Sequence, residues 1–223
     1  MMDARIEKAL TAALSAFDKI NGTNEVFRTN LFAAFNSDES YMQKVDLLDE
    51  CFDAYPSYED LREIAFDLLL MNFFAADVEK LEEDYLESEE WEDIEEQTID
   101  RGTELLNLLL YLRECIDEEI EPELSDFLKE FLLVDEDEFQ DEHRIYEPMI
   151  ANQILVESNY KEISRVAANL GEEQELAGLF YPIMSFFAEQ NPSESQFTEY
   201  LRASGDPSMD VAVYALIVAY NKN

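Results

Sequence analysis

A chain of 223 residues with 53 acidic and 15 basic side chains carries a formal charge of −38, which repels nucleic acid and anionic membrane and argues against direct DNA or RNA binding. Its hydrophobic content of 47% and aromatic content of 12% also argue against a disordered acidic tail, which would lack the apolar side chains that offset ordering entropy. Five glycines and six prolines give sparse punctuation, so the expected class is all-α. The expected architecture is a single domain over 1–223, either a multi-helix bundle or a short solenoid-like array of helical hairpins.

Residues 3–20 place Ile6, Ala9, Leu10, Ala13, Leu14, Phe17 and Ile20 at helical spacing, with Gly22 positioned to end the helix. A second helix is expected over 24–35. Ser37 is expected to cap a third, with Asp38 and Glu39 in its first turn, and Ser57 to cap a fourth that runs through Phe73 and on to Val78, Leu81 and Tyr85. The apolar stripe then slips, and Ser88 before Glu89 and Glu90 predicts a restart.

From Thr103 to Ile120 the chain is apolar on most sides, which predicts a central helix with Leu105, Leu109, Leu112 and Ile116 in the interior. A short helix fits 123–133, and 134–142 is an acidic connector and possible sub-boundary. The next helix should use Tyr146, Met149, Ile150 and Ile154, with Pro148 near its first turn or kinking it. Helices over 159–170 and 172–189 follow, the second disturbed by Pro182. Ser193 with Gln196 forms a capping-box pattern, and Asp206–Pro207 opens a final helix. The run Val211–Tyr220 is rich in β-branched residues, so a buried strand is the alternative there.

That run is far short of the ~20 apolar residues that span a bilayer. Asp3, Arg5, Glu7 and Lys8 do not suit a signal peptide, so a cytoplasmic protein with no membrane contact is expected. Cys51 and Cys115 lie far apart on helical patterns and are expected to be reduced core thiols.

The charge is uneven. Residues 77–147 hold 29 acids against 5 bases, and within them 77–100 hold 13 acids against Lys80 alone. As a continuous helix, 77–100 would span roughly 36 Å and carry about one negative charge per 3 Å, close to the ~3.4 Å spacing on one DNA strand. Tyr85, Trp91 and Leu86 are interleaved with the acids, and aromatic anchors within a charged rim are common at interfaces. The expected partner-binding residues are therefore Glu82, Glu83, Tyr85, Glu89, Glu90, Trp91, Glu92, Asp93, Glu95 and Glu96.

Catalytic motifs are sparse. His143 is the only histidine, and no nucleophile pattern lies near it. Asp135, Asp137 and Asp141 suggest a calcium loop, but Phe139 and Gln140 stand where an EF-hand needs an oxygen ligand and a glycine. No P-loop, G-x-G-x-x-G or zinc pattern is present, and no cofactor is expected. Glu92, Asp93 and Glu96, followed by Glu114 and Asp117, resemble the metal-binding signature of all-α nucleotide pyrophosphatases of the MazG type. That resemblance implies carboxylates on one helical face holding Mg²⁺ for phosphoanhydride hydrolysis.

The favoured expectation is a non-enzymatic helical protein that occupies a basic surface of a partner protein. A DNA-mimic inhibitor of a nucleic-acid-binding enzyme and an immunity protein against a cationic nuclease both fit. The MazG-type hydrolase and a helical scaffold whose charge serves only solubility are the alternatives.

Overall fold

A computed structural model describes residues 2–76, 85, 88–132, 145–171, 174 and 176–222, and every regular element among them is a helix. In chain order these are α1 (Ala4–Asn21), α2 (Glu25–Asn36), α3 (Tyr41–Ala54), a 3-10 segment (Pro56–Leu61), α4 (Arg62–Ala76), α5 (Glu89–Thr98) and α6 (Leu105–Asp117). After them come α7 (Leu124–Asp126), which passes into a π-turn (Phe127–Phe131), and α8 (Glu147–Ala151), followed by a 3-10 segment (Gln153–Glu157). The chain closes with α9 (Tyr160–Ala167), α10 (Ala177–Ala188), α11 (Glu194–Ala203) and α12 (Pro207–Asn221).

Local chemistry sets most of the boundaries. Asp3 accepts from the backbone N–H groups of Arg5 and Ile6 to open α1, and Gly22 at φ 89° closes it. Ser193 and Gln196 make the reciprocal capping box at α11, and Asp206 with Pro207 opens α12. The Val211–Tyr220 run lies wholly within α12 and is helical, not strand.

Four expectations are corrected. Ser37 follows α2 as its C-cap, and Ser40 caps α3, because Gln43 three residues on can complete a capping box. Ser57 lies inside the Pro56–Leu61 turn and makes no cap; α4 begins only at Arg62. The pattern around Met149 breaks after Ala151, leaving Ile154 70% exposed on a 3-10 turn. Pro148 does sit in the first turn of α8, and Pro182 lies inside α10 without ending it. The continuation of α4 through Val78 and Leu81, and the connector at 134–142, fall outside the described residues.

The fourth correction concerns the centre. α6 buries Leu105, Leu108, Leu109 and Leu112, but Leu106, Leu110 and Ile116 are only half-buried and Glu114 and Asp117 are exposed. The helices buried on most sides are α4, almost continuously from Ile64 to Asn72, and α12, where only Ala215 interrupts the buried run from Asp210 to Tyr220. α12 touches α1, α6, α10 and α11. Its pairing with α1 is the most extensive in the fold and is antiparallel: Arg5 donates to the carbonyl of Tyr220 at 2.9 Å, and Asn21 donates to Ser208 Oγ at 3.1 Å. The other layer is α2 on α3 on α4, joined to the first through α4 with α1 and α6.

Cys51 and Cys115 are both buried and free. Among the described residues, no helix is long and apolar enough to cross a membrane.

Leu109 is fully buried on α6, so Leu109→Ala should lower the unfolding free energy by ~2–5 kcal/mol in denaturant titration. A loss below ~0.5 kcal/mol, the ordinary range for a surface change, would contradict this placement.

Candidate functional site: the acidic helix and its anchor

α5 is amphipathic in an unusual way. Trp91, Ile94 and Thr98 recur at i, i+3 and i+7 and turn inward, with Ile94 buried. Everything else from Glu89 to Glu96 is carboxylate: Glu89, Glu90, Glu92, Asp93, Glu95 and Glu96 are all exposed. Among the described residues none of the six forms an ion pair with a cationic side chain. Three of them, Glu89, Glu90 and Glu92, occupy the first turn, where the helix dipole favours negative charge. Six carboxylates over about 12 Å of helix axis exceed the linear charge density of one DNA strand.

The acidic run is not one rod. Ser88 is extended (φ −79°, ψ 150°) and accepts from the N–H of Trp91, so α5 starts afresh there. Glu82, Glu83 and Leu86 lie outside the described residues. Trp91 is half-buried on the core, its ring centroid 5.4 Å from Phe74 and 6.3 Å from the half-buried Tyr85. It is thus one of the residues that seat α5. Among the described residues, the large apolar side chains exposed beside the acids of α5 and α6 are Ile99, 77% exposed just after α5, and Ile120, 49% exposed after α6. The spacing rules that select core positions gave no reason to single them out.

At its other end α5 is fixed by Arg101, Gly102 and Thr103, whose partners are distant in sequence. Arg101 is bidentate to Asp49 of α3 at 2.9 and 3.0 Å, reaches Glu63 of α4 through Nε, and lies over the Phe66 ring. The N–H of Gly102 donates to Glu63 at 2.8 Å. Thr103 places its N–H 2.9 Å from Asp67 Oδ1 and its hydroxyl 2.5 Å from Oδ2. The Thr103 hydroxyl oxygen also accepts from Leu105 N–H, opening α6. Glycine is required at 102 on two counts: φ is +85°, and a Cβ there would lie 2.7 Å from Asp67 Oδ1.

Asp67 is fully buried, and burial pushes its carboxyl up to about 8 against the lowering effect of its bonds to Thr103. Glu63 and Glu104 push the same way. Burial likewise raises Asp210, at the start of α12, to about 6.

A second acidic rim surrounds the end of α6, where Asp117, Glu118, Glu119, Glu121 and Glu123 are exposed. Glu119 adopts φ 58° in the position that glycine usually takes after a helix, and Ile120 N–H closes the motif onto the Cys115 carbonyl at 2.9 Å.

The five-carboxylate pattern of the hydrolase resemblance is split between α5 (Glu92, Asp93, Glu96) and α6 (Glu114, Asp117), all exposed. Among the described residues no group of three His, Cys, Asp or Glu side chains is placed to hold a metal ion. His143, Asp135, Asp137 and Asp141 lie outside the described residues.

Two outcomes follow from the Arg101–Thr103 anchor. Gly22→Ala meets open space and is strained only by φ, so it should cost ~1–2 kcal/mol. Gly102→Ala adds overlap with the Asp67 carboxyl and should cost roughly 3 kcal/mol or more in the same denaturant titration. Above about pH 4 an unfolded Asp67 has lost its proton, whereas the folded one keeps it up to about 8. Unfolding in that window releases a proton, so Asp67 makes stability fall as pH rises from about 4 to about 8 and level off above. Asp67→Asn should flatten that slope and be relatively most favourable at pH 8; an unchanged slope would show that Asp67 ionises normally. Comparison of the chain with protein-family models, with curated proteins and with solved structures finds no match.

Proposed function

We propose that this protein binds a basic surface of a partner protein through α5, without catalysing a reaction. The observation that carries the reading is the fixed presentation of six exposed carboxylates, Glu89, Glu90, Glu92, Asp93, Glu95 and Glu96, with no cationic partner among the described residues. An exposed helix that needed only solubility would gain from interspersed lysines, because like charges at i, i+3 and i+4 weaken a helix by a few tenths of a kcal/mol per pair. Here Glu89–Asp93 and Glu92–Glu96 are such pairs, and α5 contains no lysine or arginine. Its stability comes instead from the Trp91–Phe74 contact and the Arg101 anchor, so the charge is free to face outward.

A basic partner, such as a nucleic-acid-binding enzyme or a cationic nuclease, would read this helix as a short stretch of phosphate-like charge. An inhibitor that mimics DNA and an immunity protein share this chemistry. Direct nucleic-acid and membrane partners are disfavoured by the charge of −38. Ile99 is the apolar side chain best placed for an anchor within the rim.

Reversing Glu89, Glu90, Glu92 and Asp93 to lysine should slow association with a native basic partner at least tenfold near 0.15 M salt, with folding intact, since steering acts on encounter. DNA should compete for the same partner. Ile99→Ala should raise the dissociation rate. Unchanged association after the four-residue reversal, measured by surface plasmon resonance across a salt gradient, would sink the reading.

A further inference from the structure

Only 15 of the 223 side chains are lysine or arginine, yet three of them, Lys8, Lys19 and Lys222, line one surface groove. The groove has a volume of ≈ 540 Å³ and runs where α1 and the start of α11 overhang α12. Its floor is apolar: Ala215, Val218 and Ala219 of α12, with Ala12 and Phe197 on the walls. Phe197 is fixed by stacking on Tyr214, ring centroids 5.6 Å apart. Glu194 is the one carboxylate among the lining residues.

The placement of the cations follows from the antiparallel α1–α12 pair. Lys8 donates to the carbonyl of Lys222 at 2.9 Å, which puts two lysines at one end. That ammonium keeps two further N–H donors. Lys19 lies eleven residues, or about 16 Å of helix, along α1 toward the other end. A volume of ≈ 540 Å³ falls in the range of small-molecule pockets, roughly 300–1,000 Å³.

We infer that this groove binds a linear anionic amphiphile, a medium- or long-chain carboxylate, with its tail on the Ala215–Val218–Ala219 floor and its head at Lys8 and Lys222. The site is independent of α5. A chain of charge −38 repels anions at large, so the carboxylate head is held where Lys8 and Lys222 stand together, Lys19 lying beyond the ~8 Å over which charge is felt at physiological salt.

Calorimetric titration of the full chain with hexanoate, octanoate and decanoate at 0.15 M salt tests it. One carboxylate should bind per chain, with affinity rising up to about fourfold per added methylene. Decanamide, of the same length but uncharged, should bind about tenfold more weakly than decanoate, and Lys8→Gln with Lys222→Gln should bring decanoate down to the same level. Ala215→Phe should fill the floor and abolish binding of both; should that variant lose its helical circular dichroism, the exposed lysine pair decides alone. Equal binding of decanoate and decanamide, indifference to the lysine pair, several molecules per chain, or no binding would each overturn the assignment.

Discussion

Arg101 joins three elements at once: its guanidinium grips Asp49 on α3 and Glu63 on α4, and its backbone N–H donates to the Thr98 carbonyl at the end of the acidic helix. Asp49 also accepts Arg62, so one carboxylate serves two arginines. With cations so scarce, where they sit decides where negative charge is neutralised. Arg28 ties α2 to the buried Asp18 of α1, and Arg62 ties the start of α4 to α3. Removing one member of such a partly buried pair leaves the other unmatched, which costs more than the pair itself contributes. Charge is thus cancelled at helix junctions and left unmatched on α5.

The same division explains why a helix of such poor intrinsic stability persists. α5 buries Ile94 and half-buries Trp91, too little to hold a ten-residue helix by itself. Tertiary tethers at both ends compensate. On the N-terminal side they are aromatic, through Phe74 and Tyr85; on the C-terminal side they are ionic and hydrogen-bonded, through Arg101, Gly102 and Thr103.

What could be read from the sequence was whatever depends on a few neighbouring residues. Gly22, Ser88, the Ser193–Gln196 box and Asp206–Pro207 each act within one helical turn, and each was placed correctly. Ser37 and Ser57 look equally good as caps in isolation; the choice of Ser40 depends on Gln43, and that of the 3-10 turn on Pro56 and on Tyr58, whose hydroxyl bonds Asp18 some forty residues away. The all-α class followed from periodicity. That α12 and α4 are more enclosed than α6 did not, because enclosure depends on which helices meet. The six carboxylates of α5 were legible as charge, and Ser88 as their start. The Arg101–Thr103 anchor was not, since its partners are 36 to 52 residues distant. Trp91 could be read as core or rim from spacing alone, and its half-burial against Phe74 makes it a seat for the helix.

The antiparallel embrace of α1 and α12 also has a temporal side. The inward stripe of α1, from Ile6 to Phe17, finds its main cover on a helix that begins at Pro207. At synthesis rates of about 5–20 residues per second, roughly ten to forty seconds separate the emergence of the two. During that interval α1 can lean on α4, on α2 through Arg28 and on the 3-10 segment through Tyr58. The pairing of α1 with α12 therefore forms only after Pro207–Asn221 has been made. Through that wait, mutual repulsion between highly acidic nascent chains would keep their uncovered apolar faces apart.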